Sequence, residues 1–236
     1  MEYKPITKDD DNFQDYVVKV PKSEKGLLQI VHEAIEEWNK FQKRLSQDLP
    51  NIHFDRHLYQ PLLIQKGDKI RSVPPSLNGS EQKFMNDLVE FCKSKPEVLK
   101  NKELFLLRNL SRGKGIGFFE DTGFYPDFIL WITEGNKQRL VFIEPHGMKL
   151  GQHPSTNPKV NLHLKMKAQE SEARKKAKLP TLSLDAFIIS ATPFDDLCKQ
   201  HGVMWNRAKY AAAHIFFGDE TDNHHLQAII KGGTAQ

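Results

Sequence analysis

The sequence predicts a mixed α/β fold in which a central sheet is flanked by helices, with a helical appendage at the N-terminus. Three observations predict it. Apolar residues recur at helical spacing in two segments on either side of a stretch rich in proline and glycine. Short apolar runs typical of strands follow, and helix-forming segments separate the later runs. The chain of 236 residues is long enough to bury a full core, and its 39% hydrophobic and 27% charged residues are ordinary for a globular protein.

The first part of the chain predicts one amphipathic helix between Glu24 and Leu45. The stretch 67–80 contains Pro74, Pro75 and Gly79 and is typical of a linker, so we place a boundary between an appendage, 1–75, and a main domain, 76–236. The apolar face of the helix either packs on the main domain or docks a partner. Its members are Leu27, Leu28, Val31, Ala34, Ile35, Trp38, Phe41 and Leu45.

The main domain begins with a helix whose N-terminus is predicted near Asn78–Ser80. A strand is expected at 103–110. The segment 116–132 predicts a strand, a tight turn and a second strand, and the continuous apolar run at 138–144 predicts a strand in the centre of the sheet. Residues 134–137, "EGNK", predict the hairpin turn that joins the last two strands.

The second half of the main domain predicts alternating helices and strands. Residues 160–178 begin with a two-residue alternation but continue with strong helix formers, and we predict a helix. A strand is expected at 185–190, a helix that starts within 192–202, and a last strand at 211–218. Trp131, like Phe128 and Phe142, is predicted to be a core residue rather than a platform for stacked bases, because it lies within an apolar strand.

Several classes of protein are disfavoured. The two cysteines cannot form a disulfide framework or a structural zinc site, and "GKGIG" lacks the Lys-Ser/Thr of a nucleotide-binding loop. No apolar run approaches the roughly 20 residues that span a bilayer, and the first residues are too polar for a signal peptide. We therefore expect a cytoplasmic protein that does not bind membranes.

A basic segment lies between Lys159 and Lys178. It holds seven lysines and arginines against two glutamates, although the whole chain carries a net charge of only +4. A local cluster of this kind binds phosphate groups through counterion release, or it forms the solvated face of a helix. The charge pattern alone leaves both alternatives open.

Two acidic residues next to predicted strands are the principal candidates for chemistry. Asp127 stands in "YPDFILW", and Glu144 follows 17 residues later in "VFIEPHG". Adjacent strands are about 4.8 Å apart, so acids at the start of one strand and the end of its hairpin partner can lie side by side. A cation such as Mg²⁺ or Mn²⁺ would then relieve their repulsion. The alternative is that both acids simply end their strands at the surface.

The segment "YPDFILW…RLVFIEPHG" resembles the PD-(D/E)xK nuclease superfamily, and in particular the nuclease domains linked to type III restriction subunits and DEAD/DEAH-type helicases. The resemblance covers about residues 76–195 and implies a restriction-endonuclease-like fold. By that resemblance Asp127, Glu144, Glu81 and the backbone carbonyl of Pro145 bind Mg²⁺, with Mn²⁺ as a second suitable ion. His146 takes the place of the usual catalytic lysine.

The resemblance leaves two residues with alternative roles. Glu81 stands three residues after Asn78 and would also complete a helix capping box. His146 either replaces lysine in holding or deprotonating water, or yields that role to Lys149 or a lysine of the basic segment, or marks a site reduced to binding.

The function implied is a Mg²⁺-dependent DNA endonuclease of a restriction or antiphage defence system that works with a separate helicase or ATPase. A homodimer would allow both strands of a duplex to be cut. The alternatives are a catalytically silent nucleic-acid-binding subunit and a structural adaptor. The residues expected to contact DNA are Lys149, Lys165, Lys167, Gln169, Arg174 and Lys175.

Overall fold

The structure is a computed structural model. It describes residues 17–36, 50–52, 54–56, 62–65, 67, 70–110, 125–148, 158–201, 205–219 and 223–232. The chain divides into two compact units: Met1–Asn51 with Leu63–Ser76, and Ile52–Leu62 with Leu77–Gln236. Within the described ranges, no helix combines the length and the apolar character needed to cross a membrane.

The first unit contains a short strand, Val17–Lys19 (β1), and a helix, Lys25–Glu36 (α1). Two-residue strands follow at Asn51–Ile52 (β2) and Leu62–Leu63 (β3), where the chain passes from one unit to the other. Strand Arg71–Val73 (β4) pairs with β1 in antiparallel orientation.

A small apolar cluster joins α1 to its own unit, since Val31 and Leu63 are buried together with partly buried neighbours. The predicted start of this helix near Glu24 is confirmed. Trp38, Phe41 and Leu45, the distal part of the predicted apolar face, lie outside the described residues.

The larger part of the second unit, from Leu77 onward, begins with a long helix, Gly79–Ser94 (α2), and a 3₁₀ turn at Pro96–Leu99. Three strands follow, Glu103–Arg108 (β5), Phe128–Glu134 (β6) and Lys137–His146 (β7). A turn at residues 135–136 joins β6 to β7, with Gly135 in the left-handed region at φ +55°, as the "EGNK" pattern predicts. Of the strand–turn–strand predicted at 116–132, residues 116–124 lie outside the described ranges.

The remaining elements cover and extend the sheet. After a 3₁₀ turn at Pro158–Asn161 come helix Leu162–Ala177 (α3) and strand Leu182–Ser190 (β8). Helices Phe194–His201 (α4) and Arg207–Ala212 (α5), strand Ile215–Phe217 (β9) and helix His224–Lys231 (α6) complete the unit. Helices α5 and α6 are not anticipated by the sequence analysis, and α5 takes the alanines that were predicted to begin the last strand.

The five strands form one mixed sheet in the order β5–β6–β7–β8–β9. Strand β6 is antiparallel to both β5 and β7, whereas β8 is parallel to both β7 and β9. The predicted mixed sheet flanked by helices is therefore confirmed. Strand β7 lies at its centre, as the continuous apolar run at 138–144 predicts.

Alternating residues of the sheet supply two cores on its opposite faces. On one face, which we call the α2 face, Phe128, Leu130, Val141 and Ile143 pack with α2 and α6. On the other, the α3 face, Ile129 and Phe142 join Leu184 and Ala186 of β8 under Leu162 and Met166 of α3. A third cluster, around Ile188 and Phe217, packs with α4 and α5.

The burial of side chains at the start of α3 and at Trp131 differs from what the sequence pattern suggests. The alternating start of α3 does not make a strand, because Leu162 and Met166 are buried one helical turn apart while Leu164 is exposed. The prediction that Trp131 is a core residue is wrong, since 44% of it is exposed, whereas Phe128 and Phe142 are buried as predicted.

Candidate functional site at the end of the β6–β7 hairpin

The N-terminus of α2 directs Glu81 toward the sheet. The side-chain oxygen of Asn78 accepts a hydrogen bond from the backbone N–H of Glu81 at 3.0 Å. Oε2 of Glu81 in turn accepts one from the backbone N–H of Asn78 at 2.8 Å. This reciprocal pair is a capping box, so the capping role predicted for Glu81 is confirmed. The capping role leaves Oε1 of the same carboxylate available for a second partner.

That second partner is Arg108, the last residue of β5. Its Nη2 lies 2.7 Å from Oε1 of Glu81, and its Nη1 lies 3.2 Å from Oδ1 of Asp127. The Nη1 group also donates a hydrogen bond to the backbone carbonyl of Asp127 at 2.9 Å, and the guanidinium lies 4.9 Å from the centre of the Phe128 ring. The side chain is only 6% exposed. Arg108 is therefore a buried cation that bridges two predicted metal ligands.

The charge of Glu81 depends on this arginine. Burial raises the pKa of the Glu81 carboxyl above its ordinary value, and the nearby Asp127 carboxylate acts in the same direction. Arg108 and the backbone N–H of Asn78 oppose that shift. Arg108 lowers the pKa of Glu81 both by its charge and by its hydrogen bond. Without the guanidinium, the Glu81 carboxylate would be a buried charge without a compensating cation.

Asp127 and Glu144 lie at the same end of the β6–β7 hairpin. The last pair in the antiparallel ladder at this end joins Phe128 to Ile143. Asp127 directly precedes Phe128, and Glu144 directly follows Ile143. Glu144 is 7% exposed and pairs with Ile188 of β8 on its other side. The register thus places the two acids at neighbouring positions, the arrangement on which the predicted clamp depends.

The two residues after Glu144 complete this end of the sheet. The backbone carbonyl of Pro145 accepts a hydrogen bond from Oγ of Ser80 at 2.8 Å, which ties the N-terminus of α2 to β7. His146 pairs with Ser190 of β8 and is exposed. Because side chains alternate along a strand, His146 lies on the same side of β7 as Glu144.

These residues fit a magnesium site in the kind of atom they offer, because carboxylate and carbonyl oxygens are the ligands that Mg²⁺ prefers. Their positions, however, do not form a recognisable metal-binding group. Among the described residues, no three histidine, cysteine, aspartate or glutamate side chains are grouped closely enough to hold a metal ion. Between Glu81 and Asp127 the compensating charge is supplied by Arg108.

The predicted DNA-contacting residues of α3 fall on different sides of that helix. Lys165 and Lys175 are exposed. Lys167 forms an ion pair with Glu170 at 2.8 Å, and Gln169 is half-buried. Lys149 lies outside the described residues. Of the predicted set, Lys165 and Lys175 are therefore the best placed to meet a phosphate.

Arg174 has a structural role. Strand β9 pairs only with residues 188–190 of β8, and in the described parts of the chain no strand covers the same edge of β8 over residues 182–187. Nε of Arg174 donates to the backbone carbonyl of Leu182 at 2.6 Å, and Glu170 accepts from the backbone N–H of Leu184 at 3.0 Å. These side chains satisfy the backbone groups of the open edge and block its pairing with another strand.

A second polar cluster, which the sequence analysis missed, surrounds Asp185 in the middle of β8. Nδ1 of His214 lies 2.8 Å from Oδ1 of Asp185, and Nη2 of Arg139 lies 3.6 Å from Oδ2. The His214 ring stacks between those of His163 and Phe187, with centroids 4.4 and 4.6 Å away. The cluster borders a cavity of about 640 Å³. The signal available in the sequence was the single acid in the apolar run "LSLDAFIIS".

Replacement of Asp185 by asparagine should destabilise the protein in a pH-dependent way. Burial acts to raise the pKa of Asp185, but His214 and then Arg139 outweigh it and hold the pKa below its ordinary value of 3.8. The stabilisation is therefore present above about pH 4 and is lost as the pH falls through the lower pKa of the folded state. We expect a loss of about 3 kcal/mol at pH 7, measured by urea-induced unfolding, because Arg139 would remain half-buried without its counterion.

The control for this substitution is Asp196→Asn, which breaks an exposed ion pair with Lys199 and should change the free energy of unfolding by less than about 1 kcal/mol. The difference between the wild-type protein and Asp185→Asn should narrow at pH 3.5. An equal difference at both pH values would show that the charge of Asp185 is not what stabilises the fold.

Comparison with known proteins does not identify the chain. A scan of protein-family models, a search of curated proteins and a search of solved structures each found no match.

Proposed function

We propose that the second unit is a metal-dependent DNA endonuclease with a restriction-endonuclease-like fold. The observation that carries this proposal is the position of Asp127 and Glu144 at the same end of the β6–β7 hairpin, with the Pro145 carbonyl next to Glu144 and with Glu81 linked to Asp127 through Arg108. The hairpin register brings the first two together. Arg108 connects Glu81 to Asp127, and Ser80 connects α2 to Pro145. These groups come from three separate parts of the sequence and lie at one end of one sheet.

In this proposal Asp127, Glu144 and the Pro145 carbonyl would hold Mg²⁺ or Mn²⁺. The ion pair with Arg108 uses Oδ1 of Asp127, so Oδ2 is the oxygen that would serve as a ligand. The ion would supply the acidity that lowers the pKa of water and would stabilise charge on the phosphate. Glu81 would act through Arg108, which positions Asp127.

His146 would orient or deprotonate the attacking water. Its imidazole is exposed and lies on the same side of β7 as Glu144, so it can reach a group held by the acids. Two of the exposed lysines of α3, Lys165 and Lys175, would hold the DNA backbone through its phosphates. We further propose that a separate helicase or ATPase delivers the DNA, in the setting of restriction or antiphage defence.

A catalytically silent DNA-binding subunit is the second candidate, and Arg108 is the observation that favours it. A buried guanidinium already forms ion pairs with Glu81 and Asp127, and these are two of the three carboxylates expected at a metal site. A protein that has replaced its metal by a permanent cation would keep the fold and the basic helix without cleaving DNA.

A cleavage assay separates the two candidates. Supercoiled plasmid and single-stranded DNA are incubated with the full chain in Mg²⁺, Mn²⁺ or EDTA. A nuclease should cut in the presence of either metal and be inactive in EDTA. His146→Ala should reduce the rate by about 100-fold, whereas His146→Lys, which restores the residue typical of the superfamily, should retain activity.

The outcomes have distinct meanings. Full activity in His146→Ala would show that another group acts as the general base. Lys149→Gln would then be the next variant to assay. No cutting with either metal, alone or with a helicase partner added, together with DNA binding that is indifferent to metal, would establish the silent subunit.

A further inference from the structure

Two large aromatic side chains are exposed side by side on the α3 face of the sheet. Phe105 of β5 is 51% exposed and Trp131 of β6 is 44% exposed. The two residues are direct partners across the antiparallel ladder. Ile129, two residues before Trp131 on the same side of β6, is packed under α3. The aromatic pair therefore belongs to the α3 face, on the part of it that the helix leaves uncovered.

The crossing position of α3 explains the exposure. Phe105, Trp131, Leu140 and Leu184 form one row across four strands. Leu184 is buried beneath α3 and Leu140 is half-buried against the same core. The burial of these side chains by α3 thus decreases along the row from β8 to β5. Leaving a tryptophan and a phenylalanine in contact with water is unfavourable, and adjacent apolar groups of this size commonly mark a binding surface.

The flank of α3 above this surface carries lysines. His163, Glu170 and Arg174 all contact β8 or the residue before β9, so this flank of the helix points toward that edge of the sheet. Successive helical residues are rotated by about 100°. Positions 165, 168, 172 and 175 consequently lie on the opposite flank, toward β6 and β5. Lys165 and Lys175 stand near the two ends of that flank, and both are exposed. Glu172 lies between them, and its charge is balanced by an ion pair with Lys176 at 2.7 Å.

We infer that this surface binds single-stranded DNA, with bases stacked on Trp131 and Phe105 and phosphates held by Lys165 and Lys175. Exposed aromatic rings beside lysine side chains complement unpaired bases on an anionic backbone. A docked protein would fit less well, because lysine is depleted at protein–protein interfaces. The inference deepens the proposed function, since it names an unpaired strand as the form of DNA that is bound.

The distance to the candidate site is compatible with one continuous strand. Trp131 lies four residues after Asp127 along the chain, or about 13 Å at roughly 3.3 Å per residue. About four stacked nucleotides cover that length at 3.4 Å each. DNA seated on the aromatic pair could therefore place a phosphodiester at the end of the β6–β7 hairpin.

Fluorescence anisotropy of a labelled dT12 oligonucleotide, measured in EDTA so that no cleavage is needed, tests the inference. Trp131→Ala and Phe105→Ala should each weaken binding by about 5- to 100-fold, while Trp131→Phe keeps most of the affinity. Binding of a blunt duplex of the same length should not change, because its bases are already stacked. Lys175→Gln should instead lower the salt slope by about 0.7, which Trp131→Ala should leave unaltered.

Four outcomes would overturn the inference. They are no binding of dT12 by the wild-type chain, equal affinity in Trp131→Ala, the same loss on duplex as on dT12, and tighter binding of an rU12 oligonucleotide than of dT12. Sedimentation of the wild-type protein and Trp131→Ala provides a further check, because a dimer lost in the variant would assign the surface to a second copy. If the wild-type protein cleaves DNA while any of these results is obtained, the proposed nuclease activity is retained and only the role of this surface is rejected.

Discussion

Replacing Glu144 by glutamine is expected to abolish metal-dependent cleavage of DNA while changing DNA affinity in EDTA by less than about twofold. Glutamine preserves the shape of a side chain that is buried beside β8, so the sheet should remain intact. It removes the negative charge that a divalent cation requires, and with it a ligand at the centre of the proposed site. Affinity should persist because the proposed phosphate contacts lie on α3.

The matched control is Glu90→Gln, an exposed glutamate on α2, which should leave both cleavage and affinity unchanged. Thermal unfolding of both variants confirms that they are folded. Cleavage by Glu144→Gln at the wild-type rate would remove Glu144 from the site and contradict the role proposed for the hairpin. If the wild-type chain and both variants are inactive and bind DNA equally, the silent subunit is the better description.

Replacing Arg108 by methionine is expected to lower the free energy of unfolding by about 3 to 5 kcal/mol. Glu81 is 3% exposed, and its carboxylate would lose a partner at 2.7 Å. Breaking a buried ion pair from one side is strongly destabilising because the remaining charge is buried without compensation. For a chain of this size the loss corresponds to a decrease in Tm of about 10 °C, which thermal unfolding followed by circular dichroism would measure.

A double substitution tests the stated cause. Glu81→Gln added to Arg108→Met removes the stranded charge, so the double variant should be more stable than Arg108→Met alone. Lys83→Met on the same helix is the control, because it breaks only an exposed ion pair with Asp87 and should cost less than about 1 kcal/mol. Similar stability in Lys83→Met and Arg108→Met would show that Arg108 is not an essential bridge.

The elements that the sequence predicted well are those with local signals. Asn78 and Glu81 predicted the start of α2 because a capping box needs only residues three apart. The uninterrupted apolar run at 138–144 predicted β7 as a central strand because both faces of such a strand are buried. Helices α5 and α6 escaped prediction because short helices carry little periodicity, and the core they pack against is formed by distant residues.

By itself, the sequence determined that Asp127 and Glu144 flank one hairpin, since a tight turn and a fixed strand register leave little freedom. Only the tertiary structure decided what surrounds them. Arg108 meets Glu81 from 27 positions away, and Arg174 is committed to the edge of β8 rather than to solvent. The exposure of Trp131 likewise depends on how far α3 reaches across the sheet. Periodicity records which side of a strand a residue occupies, but the side chain it meets there is set by the packing of elements that are remote in sequence.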